Sequence, residues 1–299
     1  MNHASVRRCE RDAQPTGGIK GVRVKKRVMA SDTQQGGVGP PDADPPLYKF
    51  GSRDERVRSL VHSVGLVVAA FVVGIAFATL GLRVLAQLGF VPQGTENLPP
   101  VAAAAAAALQ FVGFLLVGVW YLRWQGTGAA DLFDVRLPTL REIGWALAGL
   151  VALFVLLNVV SVVIEALGVE TAENAAITQG REQPVLFLYL IGVTILLTAP
   201  AEELLFRGLV QGLFRQAYGV VPGVVVTSLL FGVVHWVALS GTGSRLTYIG
   251  VAAALGLVLG AVYEKTENLA VPIIVHGVYN AILFTAAYLV ATGQVDLPM

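Results

Sequence analysis

The sequence predicts an all-α protein: a polytopic transmembrane helical bundle of about seven helices with a disordered N-terminal tail. Three observations carry that expectation. Apolar residues make up 55% of the 299, charged residues 14%, and mean hydropathy is +0.68, outside the balance of an ordinary soluble domain. The apolar residues gather in stretches of about 20, the length that crosses a hydrocarbon core of about 30 Å. The charge is segregated, because residues 1–59 hold 12 of the 21 Lys and Arg although the net charge is only +1. Such segregation belongs to membrane topology and not to nucleic-acid binding.

The tail, 1–59, has no apolar core of signal-peptide type and carries Gly, Pro and charge throughout, so it reads as disordered. Its basic run from Lys20 to Arg27 suits anionic lipid headgroups, although a solvated tail is the simpler reading. Cys9 is the single cysteine, which excludes a disulfide framework and a Cys-based metal site. Met29 is a second candidate start.

The membrane-embedded domain is expected over 60–299. Spans fall near 60–82, 100–122, 143–167, 185–216, 221–239, 246–263 and 270–291. The alanine tract at 102–108 and the many glycines suit close helix contact in lipid. Arg53, Arg56 and Arg58 precede the first span, Arg123, Arg136 and Arg141 lie between the second and third, and Arg215 ends the fourth. The alternate loops carry Glu96, Glu170, Glu173 and Glu182 against one Arg181. The positive-inside rule then predicts an integral, multi-pass protein with a cytoplasmic N-terminus and, for an odd helix count, an external C-terminus.

The fourth span is anomalous. Over 185–216 it would reach about 48 Å as a straight helix, so Pro200 is expected to kink it. Glu202 and Glu203 follow that proline, near the middle of the apolar run. Glu203 and Arg207 are spaced i, i+4 and pair on one face, which offsets most of the cost of two isolated charges. Glu202 points about 100° away and is left over. His235 on the fifth span and His276 on the seventh are its candidate partners, and Asn280 shares a helix face with His276. His62 stands alone at the start of the first span.

Two histidines on different helices, an unpaired glutamate and an asparagine amide describe a hydrolytic site. Peptide hydrolysis needs an activated water, a donor for the oxyanion and an acid for the leaving amine. Glutamate and imidazole supply the first and third, and Asn280 suits the second. The same residues allow another chemistry, since Glu202, His235 and His276 make a His2Glu set of the catalytic zinc class. The motif segments offer no second carboxylate to orient either histidine, as Glu203 is taken by Arg207. That favours a site working without tightly bound metal.

Glu202-Glu-Leu-Leu-Phe-Arg207, Phe231-Gly-Val-Val-His235 and His276-Gly-Val-Tyr-Asn280 together resemble the E-E-x-x-x-R, F-x-x-x-H and H-x-x-x-N motifs of the CPBP intramembrane proteases. That family includes the type II CAAX prenyl endopeptidases and the Abi or bacteriocin-processing proteins. The resemblance covers about 185–291. It implies a (metallo)endopeptidase in which Glu202 activates water, His235 assists or binds metal, and His276 with Asn280 holds the oxyanion or completes a divalent metal site. Glu203, Arg207 and Phe231 would be structural support. The implied partners are a membrane-associated protein or peptide substrate and the lipid bilayer, with no nucleic acid.

Counting along the helices sets His276 about 9 Å into the seventh span and His235 about 21 Å into the fifth. They meet only through tilt, a re-entrant start or shifted boundaries. The rival readings are a proton-coupled secondary transporter, which also uses intramembrane carboxylates and histidines, and a catalytically silent immunity or scaffold protein of the same fold. No repeat with matching broken helices supports the first, and no motif position is substituted as the second would suggest.

Overall fold

The computed structural model describes residues 45–91, 98–126 and 133–296. Among them, seven helices are long and apolar enough to cross a membrane. In chain order the helices are α1 (Arg53–Gln87), α2 (Pro100–Trp124), α3 (Leu140–Ala166), a short α4 (Ala175–Glu182), α5 (Val185–Tyr218), α6 (Val220–Val234), α7 (Arg245–Thr266) and α8 (Ala270–Ala291). A 3₁₀ turn, His235–Ala238, extends α6. Among the described residues, two residue pairs form a single sheet, β1 (Glu173–Asn174) antiparallel to β2 (Leu239–Ser240). The protein is thus an integral multi-pass helical bundle, with spans close to those read from hydropathy.

The expected tail is shorter than 1–59. Residues 1–44, with Cys9 and the run from Lys20 to Arg27, lie outside the described residues, but 45–59 are ordered. A capping box starts α1 at Ser52, where the Glu55 N–H donates to Ser52 Oγ at 3.2 Å and the Ser52 N–H to Glu55 Oε2 at 2.7 Å. Ahead of it, the Lys49 and Gly51 N–H groups donate to the Tyr218 and Ala217 carbonyls at 2.8 and 2.9 Å. Carbonyls at a helix end have no partner within the helix, so a strap whose backbone N–H groups satisfy them is tied down by main-chain bonds.

Small residues set the tightest crossings. A Cβ on Gly113 would lie 2.7 Å from Gly74 Cα, which puts α1 and α2 in backbone contact, and one on Gly232 would lie 2.5 Å from the Ile249 carbonyl of α7. Ala102 and Ala104, at the start of the alanine tract, are buried. On α3, Leu147, Val151, Val155 and Val159 recur every four residues and are exposed, the pattern of a lipid-facing stripe.

Helix α5 is not regular. Two π-helical segments, Thr194–Thr198 and Leu204–Gln211, flank the α-turn Ala199–Glu203 that holds Pro200. Proline lacks an N–H and crowds the carbonyl four residues before it, and widening the adjacent turns accommodates both effects.

The α7–α8 turn is also unusual for a membrane protein, because it is buried. Thr266, Asn268 and Leu269 are all inaccessible to solvent or nearly so. Asn268 pins the 133–139 stretch: its Nδ2 donates to the Arg136 carbonyl at 3.0 Å, and its Oδ1 accepts from the N–H groups of Arg136 at 3.3 Å and Ala270 at 3.1 Å. Helix α8 therefore starts inside the protein. His276 and His235 do meet, since both rings pack on Phe231.

Candidate active site

Four helices bring the site together. From α5 come Glu202, Glu203 and Arg207, from α6 Phe231 and His235, from α7 Tyr248, and from α8 His276 and Asn280. At its base Glu203 and Arg207 are fully buried, and Arg207 Nε lies 3.2 Å from Glu203 Oε2. The guanidinium sits 4.7 Å above the Phe231 ring, and Nη2 donates to the Gly256 carbonyl of α7 at 3.0 Å. The i, i+4 pairing is as the spacing implied.

Glu203 is not used up by Arg207. A carboxylate has two oxygens, and Glu203 Oε1 accepts from His276 Nδ1 at 2.8 Å. His276 Nε2 then lies 3.7 Å from Glu202 Oε2. His276 therefore stands between the two adjacent carboxylates, hydrogen-bonded to one and facing the other. Glu202 is the more accessible of the pair, with 14% of its side-chain surface exposed against 0% for Glu203.

His235 caps its own helix, with Nδ1 2.7 Å from the Phe231 carbonyl. A carbonyl only accepts, so Nδ1 carries the proton and Nε2 is left as an acceptor. The rings of His235 and His276 both pack on Phe231, with centroids 4.7 and 6.1 Å away. Asn280 Nδ2 donates to Thr194 Oγ1 of the first π segment at 3.4 Å, a long bond that a better acceptor would displace. The His235 ring also meets that of Tyr248 at 6.2 Å.

The structure thus gathers Glu202, Glu203, Arg207, Phe231, His235 and His276 around one buried ring, with Asn280 one turn along α8 from His276. Sequence reasoning missed Thr194, Tyr248 and the Gly256 carbonyl. Nothing in their local pattern marks them, since each acts through a partner about 50 or more positions away or across a ring contact. His62 is elsewhere, bonded through Nδ1 to the Tyr121 hydroxyl at 2.7 Å.

The expected lack of an orienting acceptor for the histidines is corrected. Glu203 holds Nδ1 of His276 and the Phe231 carbonyl holds Nδ1 of His235, the kind of support that metal-bound imidazoles receive. As the side chains stand, no group of three His, Cys, Asp or Glu among the described residues lies close enough together to hold an ion.

Together the bundle and the cluster define an intramembrane protein with a buried carboxylate–imidazole centre. Residues 184–282 match the family model of type II CAAX prenyl endopeptidase Rce1-like proteins. The match runs through every motif residue from Glu202 to Asn280. That match supports a CAAX-type intramembrane protease at family level. No curated protein and no solved structure matches the chain.

Proposed function

We propose that the chain is an endopeptidase that cuts a peptide bond of a membrane-associated substrate, with prenylated CAAX-type C-termini as the substrate class. The observation that carries this reading is His276 held between Glu203 at 2.8 Å and Glu202 at 3.7 Å. Its Nδ1–H on Glu203 fixes the ring with Nε2 facing Glu202, the carboxylate that addresses the attacking water. Glu202 takes a proton as the water oxygen bonds to the scissile carbonyl carbon and the carbonyl π electrons move to oxygen. Asn280 leaves Thr194 and donates to that oxyanion. Glu202 then returns the proton to the amine nitrogen as the C–N bond breaks. His235 assists by accepting from the water at Nε2. Every step uses protein groups. Zinc on Glu202, His235 and His276 is the competing reading.

The test is cleavage by protein reconstituted in liposomes of a farnesylated CAAX-ended peptide and its unprenylated twin. Mass spectrometry is expected to find release of the residues after the prenylated cysteine. Glu202→Gln and His276→Ala should each lower the rate by at least about 100-fold while the protein still inserts and purifies. Near-normal cleavage by either variant sinks the assignment. Elemental analysis of active, chelator-free protein is expected to show no stoichiometric zinc, and one zinc lost together with activity would replace this mechanism by the metal one.

A further inference from the structure

We propose that the strap at 46–51 is an interfacial anchor that binds the surface of an anionic phospholipid leaflet. Leu47, Tyr48 and Phe50 enter the lipid at headgroup depth, and the basic side chains beside them take the phosphates.

The strap is fixed by its main chain. The Val220 and Val221 N–H groups donate to the Pro46 and Leu47 carbonyls at 3.1 and 3.0 Å, while the Lys49 and Gly51 N–H groups donate to the Tyr218 and Ala217 carbonyls at 2.8 and 2.9 Å. Lys49 Nζ adds a bond to the Gln216 carbonyl at 2.8 Å. One short segment thus satisfies the free carbonyls that end α5 and free N–H groups that start α6. Between those ends Gly219 has φ +92°, and a Cβ there would lie 2.8 Å from the Pro46 and Leu47 carbonyl oxygens and the Lys49 nitrogen. Backbone meets backbone at this turn, so the apolar side chains of the strap are not needed to hold it.

Those bonds also set its depth. With its 3₁₀ turn, α6 runs over the 19 residues Val220–Ala238. At about 28 Å it matches a hydrocarbon core of about 30 Å, so the Gly219 turn and the strap bonded to it lie at the membrane surface. Exposed apolar stripes run from that level along both neighbours, Val225, Leu229 and Val233 on α6 and Val57, Val61, Val64 and Val68 on α1. Leu47, Tyr48 and Phe50 are 64, 70 and 80% exposed, and they carry the lipid-facing surface of the bundle to its rim. Apolar and aromatic side chains at this depth are covered by the headgroup and upper acyl region.

Charge selects the lipid. Arg53 and Arg58 are exposed and make no ion pair with any described residue. The Arg56 guanidinium lies 4.4 Å above the Phe50 ring, which places a cation directly on the proposed anchor. Of the two carboxylates in this stretch, Glu55 faces Lys49 at 3.4 Å and caps α1, leaving Asp54 alone against three arginines. Such a rim complements anionic headgroups, whose surface potential draws in basic side chains next to a span.

The test is the depth of a nitroxide attached, in a Cys9→Ser background, to Leu47→Cys, Tyr48→Cys or Phe50→Cys in vesicles of phosphatidylcholine and phosphatidylglycerol. Oxygen concentrates in lipid, and a nickel chelate supplied on both sides of the membrane stays in water. Collisions with oxygen should exceed those with nickel at two or more of the three positions. Fewer than two overturns the proposal, whether because the nickel chelate reaches the label or because protein shields it from both. Pure phosphatidylcholine should make the labels shallower, and Arg53→Gln with Arg58→Gln should abolish the difference between the two lipid compositions. Labels equally deep in both compositions would overturn the preference for anionic lipid.

Discussion

Glu203 shows why one residue's partners were half legible. Its i, i+4 relation to Arg207 follows from helix geometry and was readable from six letters of sequence. Its bond to His276 was not, because the partner lies 73 positions away and arrives on a different helix. The Arg207 contact at 3.2 Å is a charge pairing without hydrogen-bond alignment, since neither Nε nor Glu203 Oε2 makes an aligned bond in the structure. What Arg207 supplies is chiefly counter-charge at a fully buried position. Arg207→Ala would strand a fully buried carboxylate, a change that costs about 3 to 5 kcal/mol. Folded yield and thermal stability in detergent should both drop, together with activity. Glu202→Gln, at a more accessible position and without a change of shape, should leave stability within about 0.5 kcal/mol. Equal stability of the two variants would show that Arg207 does not neutralise Glu203.

At the scale of elements, apolar length located every span, yet two features that place the site escaped it. Pro200 announced a break in α5, but residue types do not say whether the helix will kink or widen. The π turns lie on both sides of that proline, and the first carries Thr194, which meets Asn280. The second feature is the α7–α8 turn. A polar Thr-Glu-Asn sequence between two spans reads as a solvent loop, whereas Asn268 is fully buried because its amide satisfies the backbone of 134–136 and the first turn of α8. Asn268 thereby anchors the start of the helix that carries His276. Asn268→Ala removes three hydrogen bonds and leaves the Arg136 carbonyl and two N–H groups without that partner. It should cost about 1 to 3 kcal/mol and lower kcat through displacement of His276, with KM changed less. The check is unfolding midpoint and steady-state kinetics on the same preparation. A destabilised variant with an unchanged kcat would show that the turn holds the fold without positioning His276.

For the whole molecule, composition was enough to give a seven-span bundle, because every backbone polar group in lipid must be satisfied within its own segment and only long apolar helices achieve that. Orientation depends on a weaker signal, the placement of Arg and Lys in short loops. Arg53, Arg56 and Arg58 at the start of α1, Arg123 at the end of α2, Arg136 and Arg141 at the start of α3 and Arg215 near the end of α5 all fall on alternate connections, as one side of a bundle requires. The prediction is a cytoplasmic N-terminus and, since seven is odd, a C-terminus on the opposite face. Cys9, the single cysteine, makes this measurable without further engineering at the N-terminal end. A membrane-impermeant maleimide should label Cys9 in inverted vesicles and not in intact cells, with detergent-opened membranes as the control for reactivity. In a Cys9→Ser background, Thr292→Cys, at an exposed position just after α8, should give the reverse pattern. Labelling of both cysteines from the same face would mean that one of the seven helices does not cross, and labelling of Cys9 only from outside would invert the bundle and with it the side from which a substrate reaches Glu202.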